Sequence, residues 1–202
     1  MTKLKVLIAC EFSGRVRDAF LKLGHDAWSC DLLPTESPGP HFQGDVLSYL
    51  DRGWDLMIAH PPCTYLANSG FHHLHTTPSR WEKMEESAKF FNILQKAPIK
   101  HICIENPIPH KYARELIGKY NQIIHPWQFG HGETKRTCLW LKNLPPLLPT
   151  NIVPERYPAC HLTPPSKDRW KIRSLTYQGI ATALAEQFSA FILENSLCSS
   201  QV

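Results

Sequence analysis

Short apolar runs alternate with longer segments of helical spacing, and this alternation limits the possible folds more than any other feature. The predicted strands are 3–10, 26–30, 55–60, 99–104, 122–125 and 137–141, and the predicted helices are 17–23, 80–96, 112–120 and 176–193. Ser79 is predicted to cap the second of these helices. Strands and helices in repetition predict an α/β fold, with a parallel sheet and helices on its faces.

The composition is typical of a single globular domain. Of the 202 residues, 43% are hydrophobic and 20% are charged, so the chain can bury a core. No run approaches the ~20 apolar residues of a membrane span, and the N-terminus lacks the features of a signal peptide. Seven cysteines without a CxxC pair indicate reduced thiols. We therefore expect a cytoplasmic protein without a membrane partner.

Charge and proline content bear on the partner and on the domain boundaries. The net charge of +4 permits a polyanionic partner without requiring one. Seven of the 17 prolines lie between Pro145 and Pro165. Proline interrupts both regular structures, so we predict neither a helix nor a strand through this interval. We predict a single domain comprising 1–141 and 174–202, with 142–173 as a proline-rich, basic insertion.

Polar and conformationally special residues collect where the predicted strands end. They are Glu11, Phe12, Ser13 and Gly14 after the first strand, Asp31 and Asp45 farther on, Pro61, Pro62 and Cys63 after the third strand, and Glu105, Asn106 and Pro107 after the fourth. In a parallel sheet, ligands bind beyond the carboxyl ends of the strands. The sequence therefore predicts a ligand site at this edge of the sheet.

Cys63 and Glu105 are the candidate catalytic pair. A cysteine on a turn stiffened by two prolines is a fixed thiol, although it can equally be one more small apolar residue. Glu105 ends a separate predicted strand, where a carboxyl group can supply a proton while sulfur attacks. The alternative for Glu105, Asn106 and Pro107 is a helix-capping turn.

Two acidic residues favour a nucleoside-containing cofactor. Asp31 is placed to accept hydrogen bonds from ribose hydroxyls, and Asp45 could hold a nucleobase amine. A glycine turn such as that at Gly14 also occurs in many α/β proteins that bind no ligand there. The chain has neither G-x-G-x-x-G nor G-x-x-x-x-G-K-[ST], which argues against dinucleotides and nucleoside triphosphates.

In the order of its motifs, the chain resembles the DNA (cytosine-5) methyltransferase family. The segment Glu11 to Gly14 is similar to the family's F-x-G cofactor turn, Pro62-Cys63 to its nucleophile loop, and Glu105-Asn106-Pro107 to its ENV element. Lys135-Arg136 falls at its basic element, and the segment Thr176 to Ala181 resembles its closing motif. The five matches extend over nearly the whole chain.

The resemblance implies a Rossmann-like, S-adenosylmethionine-dependent methyltransferase fold and carbon-5 methylation of cytosine. It implies that Cys63, Glu105 and either Lys135 or Arg136 are catalytic. It implies S-adenosylmethionine binding by Glu11, Phe12, Ser13, Gly14, Asp31, Asp45, Pro61 and Gln178, and substrate binding by Pro62 and Asn106. The implied partner is DNA, with the target base flipped out of the duplex.

Only residues 142–174 stand where the family has its target-recognition domain, a compact layout that resembles small phage and prophage proteins. Lys167, Arg169, Lys171 and Arg173 are candidates for phosphate contact, and a solvated basic loop is the alternative. A separate recognition subunit could then supply sequence specificity. The alternatives for function are a non-catalytic relative acting as a partner subunit, or an enzyme acting on single strands or free pyrimidine nucleotides.

The histidines of the segment 71–75 raise the question of a metal site. No Cys or His pair follows them at a zinc-like spacing. We therefore expect no metal, and we interpret this segment as a mobile loop that follows the nucleophile.

Overall fold

In the computed structural model, which describes residues 2–199 and their side chains through residue 196, the chain forms a mixed α/β fold. The strands are β1 (Lys5–Ala9), β2 (Asp26–Asp31), β3 (His41–Gln43), β4 (Leu56–Ala59), β5 (His101–Pro107), β6 (Gln122–Ile124) and β7 (Thr137–Lys142). They form one sheet in the order β3-β2-β1-β4-β5-β7-β6. The five strands from β3 to β5 are parallel, and β7 runs antiparallel to both of its neighbours.

Helices cover both faces of the sheet. They are α1 (Arg15–Lys22), α2 (His73–Thr76), α3 (Ser79–Gln95), α4 (Lys111–Ile117), α5 (Ala159–Leu162), α6 (Arg169–Ser174) and α7 (Gln178–Ser199). Helices α1 and α7 pack on one face, and α3 and α4 pack on the other. The strand order reverses direction at β1 and β4, as in a Rossmann-like sheet, and the prediction of this fold class is confirmed.

Alternation along the central strands explains why both faces are buried. Val6 and Ile8 of β1 join the core under α1 and α7, whereas Leu7 and Ala9 join the core under α3. Successive side chains of a strand point to opposite faces, so a continuous apolar run fills two cores at once. Because both faces of the sheet are buried, polar side chains lie at the ends of its strands.

The helix α7 can pack closely because Gly179 has no side chain. A Cβ atom at this position would lie 1.8 Å from the carbonyl oxygen of Phe129. The amide of Gly179 instead donates a hydrogen bond of 2.9 Å to Nε2 of His131. The beginning of α7 is therefore fixed against the segment that precedes β7.

Four local predictions are wrong. The strand predicted to end at residue 104 continues as β5 through Pro107, because residues 105–107 pair with β7 beyond the end of β4, where the missing N–H of Pro107 is tolerated. Ser79 is the first residue of α3 and not its cap. The proline-rich interval contains α5, a single turn that fits between two prolines. The loop after β2 contains β3, a strand too short to show periodicity.

Candidate active site

A cavity of about 970 Å³ opens at the carboxyl ends of β1, β2 and β4, beside the last residues of β5. Of the predicted site residues, Glu11, Phe12, Ser13, Asp31, Pro61, Pro62, Cys63, Glu105, Asn106, Lys135, Arg136 and Arg173 line it. The others, Gly14, Asp45, Lys167, Arg169, Lys171 and Gln178, are not part of its lining. Ligand pockets usually measure ~300–1,000 Å³, so this one can hold two small groups side by side.

The turn that carries Cys63 is held from two sides. The side-chain nitrogen Nδ2 of Asn106 donates a hydrogen bond of 2.8 Å to the carbonyl oxygen of Pro61. The guanidinium of Arg80 donates one of 3.0 Å to the carbonyl oxygen of Thr64, just after the cysteine. The backbone on both sides of Cys63 is therefore fixed relative to β5 and α3.

The Cys63 thiol is half-buried and protonated at rest. Burial raises its pKa above the ordinary value, and the positive charge of Lys135 opposes this shift without cancelling it. The nearby carboxylate of Glu105 adds to the increase. Since the thiolate is the nucleophilic form, a step that uses Cys63 must remove this proton when the substrate binds.

Glu105 is hydrogen-bonded to a histidine that the sequence analysis did not single out. Nδ1 of His60 lies 2.8 Å from Oε2 of Glu105, and each side chain is only 12% exposed. Burial alone would raise the pKa of Glu105, but the His60 hydrogen bond and the charge of Lys135 outweigh it and lower this pKa. Burial alone would lower the pKa of His60, but the bond with Glu105 and the charge of that carboxylate raise it.

Of the two residues proposed for the basic element, Lys135 is the one that acts on the catalytic pair. Its charge perturbs the pKa values of Cys63, Glu105 and His60. Its ammonium group donates a hydrogen bond of 2.9 Å to the carbonyl oxygen of Arg173. Arg136 also lines the cavity but is exposed. Lys135 therefore acts by its charge on Cys63 and Glu105 and is hydrogen-bonded to the segment that carries Arg173.

The turn after β1 is built around the carboxylate of Glu11. Its oxygens accept hydrogen bonds from the backbone amides of Val16 at 2.7 Å and Arg17 at 3.2 Å, which satisfies free donors at the beginning of α1. Gly14 adopts φ 75°, in the left-handed region that favours glycine. The Glu11 carboxylate therefore shapes this turn by holding backbone amides, and Glu11, Phe12 and Ser13 all line the cavity.

The two candidate acidic ligands of a nucleoside differ in position. Asp31 lines the cavity, and burial raises the pKa of its carboxyl group against the effect of the Leu33 amide. Asp45 lies outside the lining, and its carboxylate accepts a hydrogen bond of 3.0 Å from the amide of Leu47 at the start of a short 3₁₀ helix. Asp31 is therefore the one of the two that a ligand in the cavity can reach.

The segment 159–176 lines one side of the cavity. Trp170 contacts the Phe12 ring with centroids 5.9 Å apart, and Lys171 forms an ion pair with Glu36. Because α6 is helical, Lys171 points roughly 160° away from Arg169 and Arg173, and Lys167 lies before α6 begins, so the four candidates for phosphate contact do not share one face. Arg173 faces the cavity, whereas Arg169 donates a hydrogen bond to the carbonyl oxygen of Thr163.

Several residues of the lining were missed by the sequence analysis. They are His60, Arg80, Cys160 and His161. His60 had a visible signal, because it directly precedes Pro61 at the end of a buried strand. Among the side chains described, those of residues 2–196, no group of His, Cys, Asp and Glu is arranged to hold a metal ion. No helix in the described part of the chain is long and apolar enough to cross a membrane.

Comparison with known proteins gives similarity at the level of overall fold. The sequence matches no family model and no curated protein. A candidate DNA modification methyltransferase encoded within an E. coli prophage has a TM-score of 0.48 and 16% identity, over 75% of this chain and 52% of that one. A methyltransferase of Entamoeba histolytica has a TM-score of 0.46 and 15% identity, over 76% of this chain and 58% of that one. The chain thus spans between half and three-fifths of these two structures.

Proposed function

We propose that this protein is an S-adenosylmethionine-dependent methyltransferase that methylates carbon 5 of cytosine, with DNA as its substrate. One observation carries the proposal. The Cys63 turn, Glu105 and the Phe12-Ser13 turn line a single cavity at one edge of the sheet. A thiol and a carboxyl group beside a nucleoside-type pocket are the groups that this reaction needs, because an aromatic carbon becomes nucleophilic only after a thiolate has added to the ring.

The residues present fit the proposed cofactor. Asp31 offers a carboxylate to ribose hydroxyls, Phe12 offers an apolar surface, and the turn at Ser13 brings backbone close to the cavity. Pro61 lines the same region. The bound cofactor would supply the methyl group. Gly14 contributes only through the backbone conformation of the turn. Asp45 and Gln178 are not among the residues proposed to bind the cofactor.

In the proposed reaction, Cys63 loses its thiol proton to solvent, and the thiolate sulfur forms a bond to carbon 6 of the cytosine ring. The electron pair of the C5–C6 double bond shifts through the ring, and N3 takes a proton from the carboxyl group of Glu105. Carbon 5 is then an enamine carbon and can react as a nucleophile. Once carbon 5 carries the methyl group, it loses its proton to solvent, the thiolate departs and N3 returns its proton to Glu105, which restores the aromatic ring. Lys135 favours the thiolate form of Cys63 by its charge.

The proposed substrate is DNA, and the basic side chains near the cavity are the proposed phosphate contacts. Lys135, Arg136 and Arg173 line the cavity and can approach the nucleotide that carries the target base. A base in a duplex must leave the stack to reach Cys63. The insertion 142–173 is short, so we propose that it reads few bases and that sequence specificity is relaxed or supplied by another subunit.

A trapping experiment tests the proposal. Purified protein is incubated with S-adenosylmethionine and an oligonucleotide containing 5-fluorocytosine, whose fluorine cannot leave as a proton, so the adduct persists. We expect a covalent complex with native protein and with Cys160→Ser, a control thiol of the same cavity, and none with Cys63→Ser. Duplex, single-stranded and mononucleotide forms are compared. Equal trapping by Cys63→Ser would refute the assignment of the nucleophile.

A further inference from the structure

The pair formed by His60 and Glu105 does not explain why Cys63 lies in the cavity, but hydrogen bonds of the sheet and of the two side chains hold it in place. His60 follows β4 directly, and its amide donates a hydrogen bond of 2.9 Å to the carbonyl oxygen of Ala9. Its side chain meets Glu105 across the gap between β4 and β5 at 2.8 Å. Because the backbone of both residues is fixed by the sheet, the pair is a permanent feature of the cavity wall.

The charged groups around His60 come from three elements. Glu105 approaches from β5, Glu11 from the turn after β1, and Lys135 from the segment before β7. The Nε2 atom of His60 is buried and has no hydrogen-bond partner within the described part of the chain. Two carboxylates and one ammonium group therefore surround the ring, and Glu105 is the group to which the ring is hydrogen-bonded.

In this environment Glu105 does not hold a proton that it could donate on its own. The hydrogen bond from His60 and the charge of Lys135 keep the pKa of Glu105 low, so that carboxyl group is ionised in the resting protein. The pKa of His60 is raised, so the proton of the pair resides on the imidazole. An ionised carboxylate can accept a hydrogen bond from the exocyclic amine of cytosine, but it has no proton to give to N3.

We propose that His60 is a positioning residue that stores the proton which Glu105 delivers to N3 of the cytosine ring. The inference rests on the proposed function and names the source of the proton in it. As the Cys63–C6 bond forms, negative charge develops at N3. His60 gives its Nδ1 proton to Glu105, and Glu105 passes a proton to N3. The step begins with imidazolium and carboxylate and ends with neutral imidazole, carboxylate and an N–H bond at N3. The transfers reverse when the thiolate leaves.

The test variant is His60→Gln, which can still donate an N–H to Glu105 but cannot supply a proton. General acids contribute ~10²–10⁴-fold, so we expect kcat to fall at least ~10²-fold with KM little changed. In native protein kcat should decline at alkaline pH as His60 loses its proton, and this limb should be absent from the variant. His101→Gln is the control, because His101 lies at the other end of β5 and outside the cavity.

A second readout does not depend on the methyl donor. Thiolate addition at carbon 6 allows carbon 5 to take a deuteron from solvent and lose its own proton, so cytosine exchanges at carbon 5 without cofactor. We expect this exchange to slow in His60→Gln as much as kcat does. Nuclear magnetic resonance of labelled histidine in native protein should show a His60 pKa above about 6.5 that falls in Glu105→Gln.

The outcomes separate this inference from the proposed function. If native protein neither forms the Cys63 adduct nor exchanges the carbon 5 proton, the proposed function is wrong and the inference fails with it. If native protein does both, and His60→Gln keeps the native kcat and pH profile, the inference alone is wrong. A His60 pKa that does not respond to Glu105→Gln would also overturn it.

Discussion

Asn106→Ala should impair the reaction of Cys63 more than it impairs folding. Asn106 is 1% exposed, and its amide nitrogen holds the carbonyl oxygen of Pro61 at 2.8 Å. The substitution releases the backbone that precedes the cysteine. A displacement of about 1 Å at a reacting group can cost ~10²-fold in rate. We therefore expect adduct formation to slow by ~10-fold to 10²-fold.

The effect on stability should be small because two contributions oppose each other. Loss of the hydrogen bond leaves the Pro61 carbonyl oxygen unsatisfied, which costs ~1–3 kcal/mol. The other amide atom of Asn106, Oδ1, is already buried without a partner, so its removal recovers part of that cost. A net loss of about 1–2 kcal/mol should lower Tm by roughly 2–8 °C for a chain of this length.

The assay compares the rate of covalent adduct formation with 5-fluorocytosine DNA and the free energy of unfolding in urea. Asn92→Ala is the matched control, because Asn92 also donates an amide hydrogen bond to a backbone carbonyl, that of Leu116 at 3.1 Å, away from the cavity. Because this bond is exposed and water can replace it, we expect a smaller loss of stability in the control and a native rate of adduct formation. A native rate in Asn106→Ala, with stability reduced, would refute the positioning role of Asn106.

Three further predictions concern the thiol, a close backbone approach and pH. The Cys63 thiol should react slowly with iodoacetamide at pH 7 and faster as pH rises, because burial raises its pKa. Gly179→Ala should lower Tm strongly in thermal unfolding, since a Cβ would lie 1.8 Å from the Phe129 carbonyl oxygen. Urea titrations at several pH values should separate two contributions to the free energy of unfolding. The contribution of His60 should be full below pH ~6.5 and vanish as pH rises through its raised pKa. The contribution of Glu105 should be full above pH ~4.5 and vanish as pH falls through its lowered pKa.

Each of these has a comparison that could contradict it. Alkylation of Cys63 as fast as a free exposed thiol would show that burial does not control its reactivity. Gly44→Ala serves as the control for Gly179→Ala, because only the Tyr49 hydroxyl, at 3.9 Å, would approach the added Cβ. Equal Tm values for the two variants would refute the close approach. A pH profile of stability unchanged in His60→Gln would refute the pH argument.

The sequence was sufficient to predict the class of fold and the edge of the sheet that carries the cavity. The class of fold follows from the alternation of apolar runs with segments of helical spacing, and the edge follows from polar residues at strand ends. Both are local properties of the chain. The extension of β5 through Pro107 was not predictable, because it depends on pairing with β7 some thirty residues later. The bond between His60 and Glu105 was missed for the same reason, since it joins residues 45 apart in sequence.

The central claim is most directly tested by mass spectrometry of nucleosides after incubation of the purified protein with DNA and S-adenosylmethionine carrying an isotope-labelled methyl group. The account predicts labelled 5-methyldeoxycytidine from native protein and none from Cys63→Ser. A label on another base or on the exocyclic amine of cytosine, or no label with protein that is folded and binds the cofactor, would contradict it.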